Sequence, residues 1–286
     1  MINRPEPSTS DISTLLINAA ERLTAAGVPS PRVDAELLLS HVLGVPRTRL
    51  LGIGSVHPSA AVALDRLVAR RAKREPLQHL VGRAPFRHVE LAVGPGVFIP
   101  RPETELLVDA VLPVLRAAEA PVAVDLCSGS GALAVAIAAE VGAARVVAVE
   151  LDRDAEAWLR RNTSGTRVEV VIGDVADPGL LPGLRGRLDA IVCNPPYVPS
   201  GTDVAAEVRH DPDVAVFAGA DGLAVIPHVV ARAAELLRAG GVLAVEHDDT
   251  HGSAVPELLV AAGDWQHVAE HADLAGRPRY VTALRS

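Results

Sequence analysis

Residues 122–137 read VAVDLCSGSGALAVAI, and the change of period inside this stretch decides the fold. Val122–Leu126 is a short apolar run closed by a glycine loop, which predicts a buried strand. Cys127-Ser128-Gly129-Ser130-Gly131 breaks it, and an alanine-rich apolar segment of helical length follows. Gly129 and Gly131 let the backbone approach a ligand closely, and their amides open that helix. A strand running through a glycine loop into a helix is the opening of a doubly wound α/β sheet.

Downstream the same alternation continues. Short apolar strands are predicted at Val146–Val149, Val168–Ile172, Ala190–Cys193 and Val242–Val245, with a clear helix over Leu223–Leu237 before Gly240-Gly241. Two more strands, Gln266–Glu270 and Tyr280–Leu284, flank a Gly-Arg-Pro turn. Strands alternating with helices predict an α/β class with a mostly parallel, seven-stranded sheet.

Upstream the chain reads differently. Ile12, Leu15, Leu16, Ala19, Ala20 and Leu23 recur at helical spacing, with Gly27 as a stop. Ser30-Pro31 starts a second helix carrying Ala35, Leu38, Leu39, Val42 and Leu43. A third carries Ala60, Ala63, Leu64, Leu67 and Val68 and ends in Arg70, Arg71, Lys73 and Arg74. Cations there offset the helix dipole, although a docking patch is the competing reading. From Phe86 to Ile99, HVELAV, Gly94-Pro95-Gly96 and VFI predict two short strands about a turn. The expected organisation is a helical domain over 1–84, a β-hairpin linker over 85–99 and an α/β domain over 100–286.

Composition bounds the function. The chain has 286 residues, 49% hydrophobic and 2% aromatic, with a formal net charge of −8. A non-specific nucleic-acid binder would carry a basic face, so the charge leans against one. The start, MINRPEPSTSDIS, lacks the apolar stretch of a secretory signal, and no segment has the length and apolarity of a membrane span. Cys127 and Cys193 cannot form a disulfide framework and suit a reducing cytoplasm.

The chemistry is read from position. Asp125 ends the first strand of the sheet, Glu150 the second, Asp174 and Val175 follow the third, and Asn194-Pro195-Pro196-Tyr197 follows the fourth. Open α/β sheets bind ligands outside the carboxyl ends of their strands. Glu150, about two dozen residues past the first strand, is placed to accept from two ribose hydroxyls. Asp174 is suited to an exocyclic adenine amine, or to holding the loop that meets it. A nucleoside-bearing cofactor follows, but Gly129-x-Gly131-x-x-Ala134 also fits a dinucleotide-binding oxidoreductase.

Asn194-Pro195-Pro196-Tyr197 separates the two. An amide nitrogen is a poor nucleophile because its lone pair is delocalised into the carbonyl. Methylating it requires acceptors on its N–H groups that turn the nitrogen toward a sulfonium methyl, a positioning effect. The Asn194 side-chain oxygen and the Pro195 carbonyl supply two acceptors, the prolines stiffen the loop, and Tyr197 can stack on a planar group. Neither a metal nor a strong base is needed. The bland alternative is a proline-rich turn with Tyr197 packed on it.

At these residues the chain resembles the HemK/PrmC family, the peptide chain release factor glutamine methyltransferases. Asn194-Pro195-Pro196-Tyr197 matches that family's catalytic tetrapeptide. Phe98-Ile99-Pro100-Arg101-Pro102-Glu103-Thr104-Glu105, Glu75-Pro76-Leu77-Gln78-His79-Leu80-Val81-Gly82 with Phe86, and Ala218-Gly219-Ala220-Asp221-Gly222-Leu223 resemble further family segments. The resemblance implies a Rossmann-like class I fold and S-adenosylmethionine as donor, leaving S-adenosylhomocysteine. It implies cofactor contacts from Asp125, Cys127, Ser128, Gly129, Ser130, Gly131, Glu150, Asp174, Val175 and Asn194. It also implies that residues 194–197 bind the glutamine of a Gly-Gly-Gln motif in class-1 release factors, recognised by the helical domain.

Arg101 is expected at the substrate or ordering a lid over the cofactor, against a surface ion-pair network with Glu103 and Glu105. Cys127-Ser128 stands where the family usually has Gly-Thr, and Cys127 and Cys193 are expected to face each other beside the cofactor. His247, Asp248, Asp249 and His251 read as a solvated loop rather than a metal site. The alternatives carried forward are a glutamine methyltransferase of a ribosomal protein and an adenine-N6 nucleic-acid methyltransferase, the latter disfavoured by charge. An NAD-dependent oxidoreductase and a non-catalytic binding module are the readings from other classes.

Overall fold

A computed structural model describes residues 10–286. Met1–Thr9, which form most of the segment read for a leader, lie outside them. The chain divides into two compact units, Met1–Gly82 with Ala205–His210, and Arg83–Val204 with Asp211–Ser286.

The first unit is helical. Strand β1 (Ser10–Asp11) leads into α1 (Ile12–Ala25), whose N-terminus is capped by Asp11 accepting from the Thr14 amide at 2.8 Å. Helix α2 (Pro31–Leu43) opens on its proline and stops at Gly44 in the left-handed region. Strand β2 (Ser55–Val56) pairs antiparallel with β1, and α3 (Pro58–Arg71) and the short α4 (Leu77–Val81) complete the unit. Leu23, Leu38, Leu39, Leu64 and Val68 fill its core.

The basic turn after α3 is neither a dipole cap alone nor a free patch. Arg71, buried, donates to Asp34 at 2.7 Å and to Glu207 at 2.8 Å, while Arg74 grips Glu207 with two nitrogens at 2.7 and 2.6 Å. Arg70 pairs with Glu75. Burial would raise the Glu207 pKa, but hydrogen bonds from Arg74 and Arg71 outweigh it and hold it at about 2. These pairs explain why a hexapeptide distant in sequence belongs to the helical unit.

The second unit opens with an antiparallel hairpin, β3 (Arg83–Phe86) and β4 (Val89–Ala92). Its turn is Arg87-His88, with Arg87 at φ +50°. The pairing expected across Gly94-Pro95-Gly96 does not form. Residues 93–99 run unpaired instead, burying Val93, Val97 and Ile99 against Ala155 and Trp158.

Helix α5 (Glu105–Ala117) follows, and then the sheet: β5 (Val122–Leu126), α6 (Ala132–Glu140), β6 (Arg145–Glu150), α7 (Arg153–Thr163), β7 (Glu169–Ile172), β8 (Leu188–Cys193), the short α8 (Asp213–Val216), α9 (Ile226–Leu236), β9 (Leu237–Glu246), α10 (Ala254–Ala262), β10 (Trp265–Ala272) and β11 (Pro278–Arg285). Strand order is β10-β11-β9-β8-β5-β6-β7, with β11 antiparallel to both neighbours and parallel pairing from β9 to β7. Parallel strands covered on both faces must be apolar throughout, as VAVDL and LDAIVC nearly are. One face packs under Leu107, Val111, Leu133 and Ile137, the other under Ile226, Val229, Leu236 and Leu259. The chain order reverses beside β5, between β6 and β8, which opens a crevice at the carboxyl edge there.

Candidate active site

A cavity of about 410 Å³ opens at that edge. The loop after β5, the end of β6, the turn after β7 and the loop after β8 all contribute to its wall.

Glu150 is the best-anchored polar group in it. Its carboxylate accepts from the amides of Gly129 at 2.6 Å, Leu151 at 2.9 Å and Asp152 at 2.8 Å. Burial still raises its pKa against those three bonds. Asp125 is 1% exposed. One carboxyl oxygen accepts from the Ala134 amide at 3.1 Å in the first turn of α6, and the other is buried without a partner among the described residues. Burial, with the nearby Glu150 charge adding to it, pushes Asp125 up to about 8 despite the bond from Ala134 and the neighbouring Ser128 hydroxyl.

The loop between them is shaped by backbone. Gly131, at φ +85°, caps α6, and a Cβ there would lie 2.7 Å from the Leu159 side chain. Ser128 donates to the Asp125 carbonyl at 2.8 Å, and the Ser130 carbonyl accepts from Asn162 at 2.9 Å. Asp174 accepts from the Ala176 amide at 2.8 Å and so holds its own turn, while Val175 lies buried beside it. Asp125, Cys127, Ser128, Gly129, Ser130, Glu150, Asp174, Val175 and Asn194 line the cavity together, whereas Gly131 does not and serves as the cap of α6.

This set of acceptors suits the hydroxyls of a nucleoside. Glu150 offers oxygens at the end of the second strand, and the unpartnered Asp125 oxygen is an acceptor inside the wall.

The tetrapeptide divides. Asn194 and Pro196 line the cavity. Pro195 is buried, and Tyr197 turns inward, its hydroxyl donating to Glu246 at 2.9 Å. Asn194 donates from Nδ2 to the Thr104 hydroxyl at 3.0 Å. Cys193, the last residue of β8, pairs in register with Val245, so Asn194 just past β8 and Glu246 at the end of β9 come next along the two chains.

Arg101 does not line the cavity. It donates to the buried Asp211 at 2.5 Å and lies 4.8 Å over the Phe98 ring, which does. Glu105 accepts instead from the Arg87 amide at 2.9 Å, so no surface network joins Arg101, Glu103 and Glu105 as an ion-pair cluster. Cys127, at φ +57°, follows Leu126, which pairs with Cys193. Burial foremost, and then the neighbouring Cys127 thiol, push the Cys193 thiol well up. The loop after β9 is solvated only in part: Thr250 and Gly252 are exposed, whereas His247 is fully buried and both ring nitrogens of His251 are enclosed.

The sequence marks Phe98, Thr104 and Gly222 only as parts of family-like segments, with no role of their own, and gives Glu246 none. Glu246 carried the signal that found Asp125 and Glu150, a carboxylate at the carboxyl end of a strand of the same sheet.

Residues 14–82 match the family model for the PrmC N-terminal domain, and residues 90–211 match that for the methyltransferase small domain. The release factor glutamine methyltransferase of Mycolicibacterium smegmatis is 50% identical over 96% of this chain and 98% of its own length. Its namesakes from Streptomyces coelicolor and Deinococcus radiodurans are 48% and 44% identical, over 94% and 95% of this chain and 96% and 98% of theirs.

Proposed function

This chain belongs to the family of release factor glutamine methyltransferases, and from that footing we propose that it methylates the side-chain amide nitrogen of the glutamine in the Gly-Gly-Gln motif of class-1 release factors. The fold of its second unit is the Rossmann-like class I methyltransferase fold. The observation that carries the proposal is that Asn194 and Pro196 share one cavity wall with Glu150 and Asp125. Acceptor amide and methyl donor are thereby given one place to meet.

S-adenosylmethionine, when bound, supplies a methyl group already activated by its sulfonium. Glu150 would accept from the ribose hydroxyls, and the unpartnered Asp125 oxygen would serve the cofactor as a further hydrogen-bond acceptor. The Gly129–Gly131 backbone lets the ligand lie close against the start of α6. Asn194 Oδ1 and the Pro195 carbonyl accept the two N–H groups of the glutamine amide and hold the nitrogen facing the methyl carbon. Bound S-adenosylmethionine would give its methyl to that nitrogen and leave as the neutral thioether S-adenosylhomocysteine, the displaced amide proton passing to solvent. Arg101, through Asp211 and Phe98, orders the wall that the acceptor glutamine passes. The helical unit recognises the release factor, and the reaction belongs in the cytoplasm, where release factors work.

The test is transfer of labelled methyl from S-adenosylmethionine to a purified class-1 release factor, beside one whose motif glutamine is replaced by alanine. Label on the first alone is expected. Label on neither, with ribosomal proteins labelled instead, overturns the assigned acceptor and keeps the chemistry.

A further inference from the structure

Asn194 can serve a substrate amide only if it presents its oxygen. An asparagine side chain is nearly symmetric in shape, and turned over it would point its NH₂ at the substrate N–H groups, donor against donor. Something must fix which way it faces.

The groups behind it form a chain of defined polarity. Asn194 Nδ2 donates to Thr104 Oγ1, Thr104 lies against Glu246, and Tyr197 donates to Glu246 Oε1. Glu246 is 1% exposed and does not line the cavity, so it acts only through its neighbours. A carboxylate accepts and cannot donate. The Tyr197 proton goes to Glu246 Oε1, and Glu246 Oε2, buried without a hydrogen-bond partner among the described residues, is the acceptor open to the Thr104 proton. The Thr104 oxygen is then left able only to accept, and what it accepts is the Asn194 N–H. The amide is therefore locked with nitrogen inward and Oδ1 available to the cavity.

We infer that Glu246 is a positioning residue whose negative charge sets the orientation of the Asn194 amide. This rests on the reading of Asn194 as the acceptor for the glutamine N–H. Replacing the carboxylate by an amide of the same shape removes the lock, because a donor at position 246 lets Thr104 turn its proton to Asn194. The same reversal follows from protonating Glu246. Burial pushes its pKa up to about 7, against the neighbouring Thr104 and Tyr197 hydroxyls and the positive charge of Arg279, with Glu103 adding to the rise. The Cys193 thiol also faces this charge, and Arg279 is itself paired with Asp273 at 3.2 Å.

Glu246→Gln in the full-length protein is expected to lower kcat for methyl transfer by about a hundredfold, the scale of losing one oriented polar contact in a reacting site. KM for S-adenosylmethionine and the affinity for S-adenosylhomocysteine stay within about twofold, because neither touches Glu246. The wild-type kcat climbs with pH through an ionisation near neutrality, and the variant loses that limb. Wild-type kcat in Glu246→Gln overturns the inference, as does a kcat loss that comes only with an equal loss of cofactor affinity. Should Glu246→Gln fail to fold, Thr104→Val decides: it removes the same link, and an unchanged kcat overturns the inference equally. Asn194→Ala is measured alongside. Activity surviving there defeats the reading of Asn194, whereas an inactive Asn194→Ala beside a fully active Glu246→Gln defeats only the role of Glu246.

Discussion

Gly222 passes directly over the carbonyl of Tyr197: a Cβ on it would lie 2.2 Å from that oxygen and 2.8 Å from the His251 ring. Its φ of +78° is also one that side chains rarely adopt. Gly222→Ala therefore strains the backbone and displaces the last residue of the tetrapeptide at once. The expected cost is about 2 kcal/mol of stability, seen as a lower Tm. A fall in kcat at saturating cofactor accompanies it. An unchanged Tm and kcat would show that this loop yields without consequence.

Asn194→Ala removes one acceptor and nothing from the Glu150 side of the cavity. Methyl transfer should fall by a thousandfold or so, combining lost orientation and lost polarity. Calorimetric affinity for S-adenosylhomocysteine should remain close to wild type. Equal loss of both would reassign Asn194 to the cofactor.

Glu150→Ala acts on the other side. It leaves three backbone amides without their acceptor and takes the carboxylate from the cavity wall. S-adenosylhomocysteine affinity should weaken by about 2–3 kcal/mol, the range for hydrogen bonds to a charged group. Glu150→Gln, which keeps an acceptor oxygen, should recover part of it. Isothermal titration of both variants checks the order.

Stability and activity should move in opposite directions with pH. Asp125 and Glu246 have pKa values raised by burial, to about 8 and about 7, so the folded state holds protons that the unfolded chain has released. Their contribution is fully present below the ordinary carboxylate range and is lost as pH rises through the raised values. Glu207, held at about 2, contributes no slope above pH 6. Lowered histidines such as His247 act only below their ordinary value. Tm should therefore decline between pH 6.5 and 8, with a slope of at most about 1.4 kcal/mol per pH unit for each group. Asp125→Asn should flatten most of that decline, and a slope unchanged in this variant would show that Asp125 is ionised throughout.

Much of this architecture was legible because each parallel strand is bounded by residues that end it. The seven strands lie where apolar runs meet glycine, proline or a carboxylate, and the polar residues closing β5, β6 and β8 mark the cavity edge. The hairpin was misread because its turn, Arg87-His88, contains no glycine or asparagine, while Gly94-Pro95-Gly96 carries the usual turn residues. Gly94 is instead covered by Trp158, whose ring would lie 2.7 Å from a Cβ at that position. The partners of Asn194 were hidden for another reason. Thr104, which accepts from Asn194, lies 90 residues upstream, and Glu246 reaches the same sheet edge only through the register of β8 with β9. A buried histidine such as His247 likewise looks solvated in a sequence of neighbouring aspartates.

The membership of Ala205–His210 in the helical unit has an evolutionary reading. The backbone passes from one unit to the other three times, after Gly82, Val204 and His210. What can be inherited or exchanged as a working piece is thus not the first eighty residues but those residues together with a hexapeptide encoded far downstream. A chimera that takes its N-terminal helices from a relative and keeps this Glu207 would ask foreign side chains to replace Arg71 and Arg74. Grafts between family members should succeed only when both pieces travel together.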